Sequence, residues 1–335
     1  MTLRIAINGF GRIGRSVLRA LYETGAHKNL QMVAINEPAD AATIAHLLKY
    51  DSTHGRFRGD IERDGNTLIV NGDRITLLAQ TDWQQLPWRT LNIDVVLDCS
   101  GECYDRVSAQ RHLDAGAQRV LVSQPLPPQE VDFTVVLGIN DAQLQNTQRI
   151  VSSASCTTQA AVPIIELLDR KFGIDMGTIT TIHSTMNDQP VIDAYHHTDL
   201  RKTRAASRSI IPIDTSLAKG VGRLLPHLEG RFTAQHLRVP TTNVSALDLT
   251  VLTRAEVTID VVNTVLQGAA EQMPALIGYS DEPLASCDFN HDPRSAIVDA
   301  SQTSVAAGRL VKVLIWFDNE WAYANRMIDV AGLMA

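Results

Sequence analysis

LRIAINGFGRIGR, residues 3–15, sets the fold: a short apolar run turns directly into three glycines spaced G-x-G-x-x-G. Leu3–Asn8 reads as a strand, and Ile13, Val17, Ala20 and Leu21 then recur at helical spacing before a second apolar strand, Leu30–Asn36. The whole is a βαβ unit of about 30 residues. In Gly9-Phe10-Gly11-Arg12-Ile13-Gly14, one glycine permits the tight turn. The next lets the backbone approach a pyrophosphate, and the third lets helix pack on strand. The helix that follows aims its unbonded N–H groups and the positive end of its dipole at the phosphates. Glu37 ends the second strand 23 residues after Gly14, where a carboxylate accepts hydrogen bonds from the adenine ribose hydroxyls; this favours NAD over NADP.

Outward from that unit, strands are predicted at Thr67–Val70, Asp94–Cys99 and Arg119–Ser123, with a helix at Arg106–Ala115. Strand and helix in alternation predict an α/β, Rossmann-type doubly wound parallel sheet. The Pro-rich stretch Gln124–Gln129 reads as a loop and Phe133–Gly138 as one more strand. From Thr178 the texture changes. Strands at Thr178–His183, His236–Pro240, Ser245–Leu252 and Leu310–Phe317 have fewer helices between them, which predicts an α+β domain with a largely antiparallel sheet. The boundary falls near residues 150–154, giving domains 1–152 and 153–318.

The 335 residues are enough for about two domains, and 44% hydrophobic with 20% charged residues allows a real core. A formal charge of −7 argues against non-specific nucleic-acid binding; Arg201, Lys202, Arg204 and Arg208 are too scattered to reverse that. The N-terminus has no apolar h-region or cleavage site, and no apolar run approaches the ~20 residues that span a bilayer. A cytoplasmic protein with no membrane partner is expected. The four cysteines, Cys99, Cys103, Cys156 and Cys287, show neither a CxxC pair nor zinc spacing, so they read as free thiols and no metal is expected.

Ile150–Ser152 ends a strand and Thr157 onward reads as a helix, which sets Cys156 at its first turn. A thiol of pKa ~8.5 is mostly protonated at pH 7; a helix N-terminus with an imidazolium beside it lowers that pKa to ~6 or less. Ser155, Thr157 and Thr158 collar the thiol with polar groups. Pro163 either kinks the helix or marks its effective start. Cysteines in apolar chains usually serve as small buried residues, and Cys99 and Cys287 are read that way. His183 follows Cys156 by 27 residues and closes the β-branched run 178–182, so it projects from a strand end, where it can pair with the thiol and act as acid and base.

With those residues on the page, the chain from Ile5 to Asn325 resembles the glyceraldehyde-3-phosphate dehydrogenase family. INGFGRIGR, SASCTT, HS…NDQ, RAA, IIP, VP and WFDNEW carry the resemblance. It implies a homotetramer of two-domain subunits whose C-terminal helix (319–335) packs back onto the nucleotide domain. It places Asn319 where it orients the nicotinamide amide, Arg12 and Ile13 along the pyrophosphate and ring, and Ser100 and Ser123 against the cofactor. Ser155, Thr157, Thr215, Ser216 and Arg238 fall at substrate and anion contacts, with Asp188 and Lys202 as further candidates.

Within that family, AINEPADAATIAHLLKYDSTHGRF, HSTMNDQPVIDAY, RAASRSIIPIDT and DFNHDPRSAIVD are similar to the branch acting on D-erythrose 4-phosphate. The resemblance implies NAD-dependent oxidation of that small phosphorylated aldehyde to 4-phosphoerythronate, an early step toward pyridoxal phosphate. A Cys156 thioester would be hydrolysed by water. The alternative is the phosphorylating reaction on glyceraldehyde 3-phosphate. Departures from the family pattern fall on the anion sites: Met186 stands where a threonine is usual, Ser216 where a glycine is usual, and Lys202 where an arginine is usual.

Overall fold

β1 (Leu3–Asn8) is buried from Ile5 onward and ends where the glycine loop begins. The computed structural model describes residues 2–196 and 198–334. Met1 and Ala335, the outer limits of the expected nucleotide domain and C-terminal helix, lie outside the described residues, as does His197. The chain divides into two compact units, Met1–Ser155 with Tyr323–Ala335, and Cys156–Ala322.

In the first unit α1 (Arg12–Glu23), β2 (Leu30–Asn36) and α2 (Ala41–Lys49) follow β1. The carboxylate of Asp40 caps α2 by accepting the N–H groups of Ala42 and Thr43. A small hairpin, β3 (Tyr50–Asp51) and β4 (Gly55–Arg56), leads to a meander of β5 (Ile61–Asp64), β6 (Thr67–Val70) and β7 (Asp73–Leu78). Then come β8 (Val95–Asp98), α3 (Arg106–Asp114), β9 (Arg119–Val122), β10 (Phe133–Thr134) and β11 (Ile150–Ser152). The sheet order is β10-β11-β9-β8-β1-β2-β7-β6-β5, parallel except for the β5–β6–β7 edge. β8 and β9 are buried at every position, as strands covered on both faces must be. From β1 the chain goes first to β2 on one side and later to β8 on the other. The carboxyl ends of β1 and β8 therefore form the switch point where such sheets bind ligands.

The expected strand Phe133–Gly138 stops after Thr134. Asn140 Oδ1 accepts the N–H of Val136 and Asp141 Oδ1 that of Gly138, so side chains turn the backbone out of the ladder. In the same unit Arg119 Nη1 donates to the carbonyl of Met334 and the Tyr323 hydroxyl to that of Ala154.

The second unit opens with α4 (Cys156–Phe172), which runs through Pro163; the proline lies inside the helix and one intrahelical bond is not made. β12 (Ile174–His183), β13 (Ile211–Ile213), α5 (Leu217–Leu224), β14 (Phe232–Arg238), β15 (Ser245–Thr253), α6 (Ile259–Gln272), β16 (Ile277–Ser280), β17 (Ala296–Ala306) and β18 (Leu310–Phe317) follow; the last helix, α7 (Trp321–Leu333), belongs to the first unit from Tyr323 onward. The sheet order is β13-β14-β12-β15-β18-β17-β16, antiparallel apart from the pairs β12/β14 and β16/β17. This is the predicted mixed architecture.

Three details differ from expectation, the first being that β12 begins at Ile174, four residues ahead of the expected Thr178. The strand placed at His236–Pro240 is β14 and stops at Arg238, because Pro240 has no N–H and Thr241 N–H turns back to the carbonyl of Val239. Cys287 is exposed, whereas Cys99 is buried. Leu247, Leu249 and Val251 of β15 alternate inward with period two, and α4 packs on β12, β15 and β17. No helix among the described residues is long and apolar enough to cross a membrane.

Candidate active site

Ala154, in the turn ahead of α4, has a left-handed backbone with φ of 54°, and its N–H is held by the Ser152 hydroxyl at 3.1 Å. A conformation that costs a non-glycine residue about 1–2 kcal/mol reverses the chain sharply and starts α4 at Cys156. The Thr157 hydroxyl lies 3.8 Å from Cys156 Sγ.

β12 alternates Ile179, Thr181 and His183 inward, so its last residue falls on the buried face. His183 Nε2 is 3.8 Å from Cys156 Sγ, and Nδ1 is 2.8 Å from the carbonyl oxygen of Ser184. A carbonyl only accepts, so Nδ1 carries the proton and the Nε2 lone pair faces the thiol. The His236 ring stacks on His183 with centroids 5.1 Å apart.

Burial pushes the Cys156 thiol up to about 11, although bonds from the Thr157 hydroxyl and from backbone N–H groups oppose it. Burial likewise pushes His183 down to about 4 and His236 to about 3, the latter with a further push from His183. Both directions favour the neutral thiol and the neutral imidazole over the expected thiolate and imidazolium.

β12 and β14 are parallel, with Thr181 opposite His236 and His183 opposite Arg238. Arg238 is 4% exposed; its Nη1 donates to Asp188 Oδ1 at 2.5 Å, and Lys202 Nζ donates to Asp188 Oδ2 at 2.9 Å. Burial raises the Asp188 carboxyl, but the bonds from Lys202 and Arg238 outweigh it and hold the group below its usual range. Two cations on one carboxylate leave a net positive charge. Among the described residues, Arg238 Nε, Thr181 Oγ1 and His236 Nε2 are buried without a hydrogen-bond partner. The strand ends thus hold polar groups and surplus positive charge suited to a phosphorylated ligand.

Asn319 Oδ1 accepts hydroxyl protons from both Ser184 and Ser245, each at 2.9 Å. With its oxygen so occupied, its NH₂ end is the one that can donate to an amide carbonyl. Thr215 and Ser216 precede α5: Thr215 Oγ1 accepts the N–H of Leu217, and Ser216 is the N-cap residue. Met186 is exposed, and its N–H donates to Gln189 Oε1.

The first unit carries the nucleotide residues. A Cβ on Gly9 would lie 2.4 Å from Ser100 Cα, and one on Gly14 would lie 2.3 Å from the Gly9 carbonyl oxygen. Both positions exclude any side chain. A Cβ on Gly11 would meet nothing within 4 Å, so the space beside the helix start is open. Gly11 caps α1 without a side-chain bond. The Arg12 guanidinium itself pairs with Asp51.

Glu37 Oε2 accepts the Phe10 N–H at 2.8 Å, which fixes the carboxylate against the glycine loop. The Ser100 hydroxyl donates to Asp98 Oδ1, and the Ser123 N–H to the Asp98 carbonyl. A cradle closed to side chains at two glycines and open at the third fits a pyrophosphate.

Sequence reasoning did not single out Thr181, His236, Ser184 and Ser245, which strand pairing brings to the thiol and to Asn319. It also did not find the buried chain Asn36–Asn8–Asp98–His112, whose links measure 2.8, 2.8 and 3.0 Å.

A doubly wound sheet with a phosphate loop at its switch point defines a dinucleotide-binding protein. Family models extend this: the NAD binding domain of glyceraldehyde 3-phosphate dehydrogenase matches residues 3–106, and its C-terminal domain matches residues 155–319. The chain belongs to the glyceraldehyde 3-phosphate dehydrogenase family; its cofactor is NAD, and it is an oxidoreductase acting on aldehydes.

Proposed function

We propose that the chain oxidises D-erythrose 4-phosphate to 4-phosphoerythronate, with Cys156 as nucleophile and His183 as its base. The observation that carries the chemistry is the Nε2 lone pair 3.8 Å from the thiol. His183 takes the thiol proton as sulfur bonds to the aldehyde carbon, and returns it to the carbonyl oxygen. Bound NAD supplies the hydride acceptor. His183 takes the hydroxyl proton as hydride leaves the carbon, and a thioester remains on Cys156. His183 releases that proton to solvent and then deprotonates water, whose oxygen attacks the thioester; the C–S bond breaks and His183 returns the proton to the sulfur.

Arg238 and Lys202, with Ser155, Thr157, Thr215 and Ser216, hold the substrate's phosphate and oxygens. The Asn319 amide orients the nicotinamide, and Glu37 the ribose. Residues 1–152 with 319–335 make the nucleotide domain and 153–318 the catalytic domain of a cytoplasmic homotetramer.

Two features favour this substrate over glyceraldehyde 3-phosphate: the matching strings of the four-carbon branch, and Met186, which presents a thioether where phosphate-using relatives carry a hydroxyl. The test is kcat/KM on the two aldehydes. The four-carbon substrate is expected to lead by at least tenfold, and a lead for glyceraldehyde 3-phosphate reverses the assignment.

A further inference from the structure

Glu166 and Asp169 lie three residues apart on one face of α4, and His227 meets them from the single turn Pro226–Leu228. One ligand atom from each lies within 4.8 Å of the other two. His227 Nε2 is already 2.8 Å from Asp169 Oδ2, while Asp169 Oδ1 is fixed by the N–H of Ile174 at 2.7 Å.

Glu166 is the informative member. Its Oε2 atom is buried and has no hydrogen-bond partner among the described residues. Among the described residues no lysine or arginine pairs with it, so two carboxylates stand close together with a single imidazole beside them. A buried, unpaired carboxylate oxygen is costly unless a cation meets it.

We propose that Glu166, Asp169 and His227 bind a divalent transition-metal ion of the zinc type. An imidazole nitrogen with two carboxylate oxygens suits Zn²⁺ and disfavours Mg²⁺ and Ca²⁺, which take oxygen ligands. Ligands about 2.0–2.2 Å from zinc sit a little over 3 Å from one another, so a rotation of the Glu166 side chain closes the set. The ion joins α4, which begins at Cys156, to the turn that leads into β14, which ends at Arg238. Its effect is to brace those two elements, without entering the chemistry at the thiol. Sequence spacing gave no sign of this site, because Glu166 and His227 are 61 residues apart and match no ligand motif.

The test is calorimetric titration of the full-length protein with Zn²⁺. Cys156→Ser/Cys287→Ser serves as background, so that the two accessible thiols do not bind the ion. One equivalent per chain is expected with micromolar affinity, no comparable binding of Mg²⁺, and a rise in Tm on adding Zn²⁺. Glu166→Gln and His227→Gln, on different elements, are each expected to weaken binding at least tenfold; if one fails to fold, the other decides. No saturable binding, or the same isotherm in a folded variant, overturns the proposal.

Discussion

His183 and Arg238 end neighbouring parallel strands as direct register partners, with the imidazole that contacts the Cys156 thiol on one strand and a buried guanidinium on the other. Adjacent strands lie about 4.8 Å apart, so the backbone fixes this spacing without a flexible loop. In the proposed reaction the base for the aldehyde end and the cation for the phosphate end are set on one rigid edge.

The anion half of that edge predicts a substrate effect. Arg238→Gln removes the buried charge and leaves Lys202 alone on Asp188. Loss of one charge-assisted hydrogen bond costs about 1.5–3 kcal/mol, or about 10- to 100-fold in affinity. Steady-state kinetics are expected to show KM for the phosphorylated aldehyde raised by that factor and KM for NAD unchanged. An unchanged KM for the aldehyde places its phosphate elsewhere.

The other half predicts how the thiol reacts. Burial pushes Cys156 up to about 11 and His183 down to about 4, and in the proposed mechanism His183 takes the thiol proton during attack rather than before it. The rate of iodoacetamide alkylation is therefore expected to climb between pH 6 and 9 without a plateau. His183→Asn is expected to slow it at least tenfold at pH 7. A flat rate from pH 6 to 8 indicates a preformed thiolate and contradicts the neutral pair.

The same burial makes the fold acid-sensitive. His183 and His236 titrate near 4 and 3 when folded but near 6.5 when unfolded. Between these values the unfolded chain binds protons that the folded chain excludes. Stability thus rises with pH across the window and is lost as pH falls below about 6.5. Tm measured by circular dichroism from pH 8 to 5 should show that fall, and His236→Gln should make it shallower. The same slope in the variant removes His236 from the cause.

Glu37, held against the loop by the Phe10 N–H, predicts cofactor choice. NADP would bring a 2′-phosphate of about −1.5 to −2 charge near it. Like unit charges at ~4 Å cost about 4 kcal/mol at an effective dielectric of ~20, and half of that is already more than tenfold. Activity with NADP should trail NAD by at least tenfold. Glu37→Gln, which keeps an acceptor for Phe10, should narrow the gap, and comparable kcat/KM for both cofactors in the wild-type chain contradicts this role.

Where the sequence was legible, the reason was local. Leu3–Asn8, Leu30–Asn36, Thr67–Val70 and Leu310–Phe317 form strands with the predicted bounds, because each is an apolar run closed by a turn. α6 was missed although Val262, Leu266 and Ala269 recur at helical spacing behind a Thr258 cap. β17 was missed because its second half is polar and its pairing shifts between Asp299 and Ser304. In the site, Cys156 and His183 stood out by motif. His236, Thr181 and the serines on Asn319 did not, since their roles arise from register between distant strands. The direction of the thiol's shift was not legible for a related reason: a string shows a helix start, but not the desolvation around it.

The central claim is that water, with no need of inorganic phosphate, releases the acid, and it rests on Met186. Phosphate attack needs a second anion pocket, and a thioether there offers only a weak acceptor in place of a hydroxyl donor. The decisive measurement is NADH formation from D-erythrose 4-phosphate in phosphate-free buffer, with the product identified by mass. The account predicts full turnover and free 4-phosphoerythronate. A strict requirement for phosphate, or an acyl-phosphate product, contradicts it.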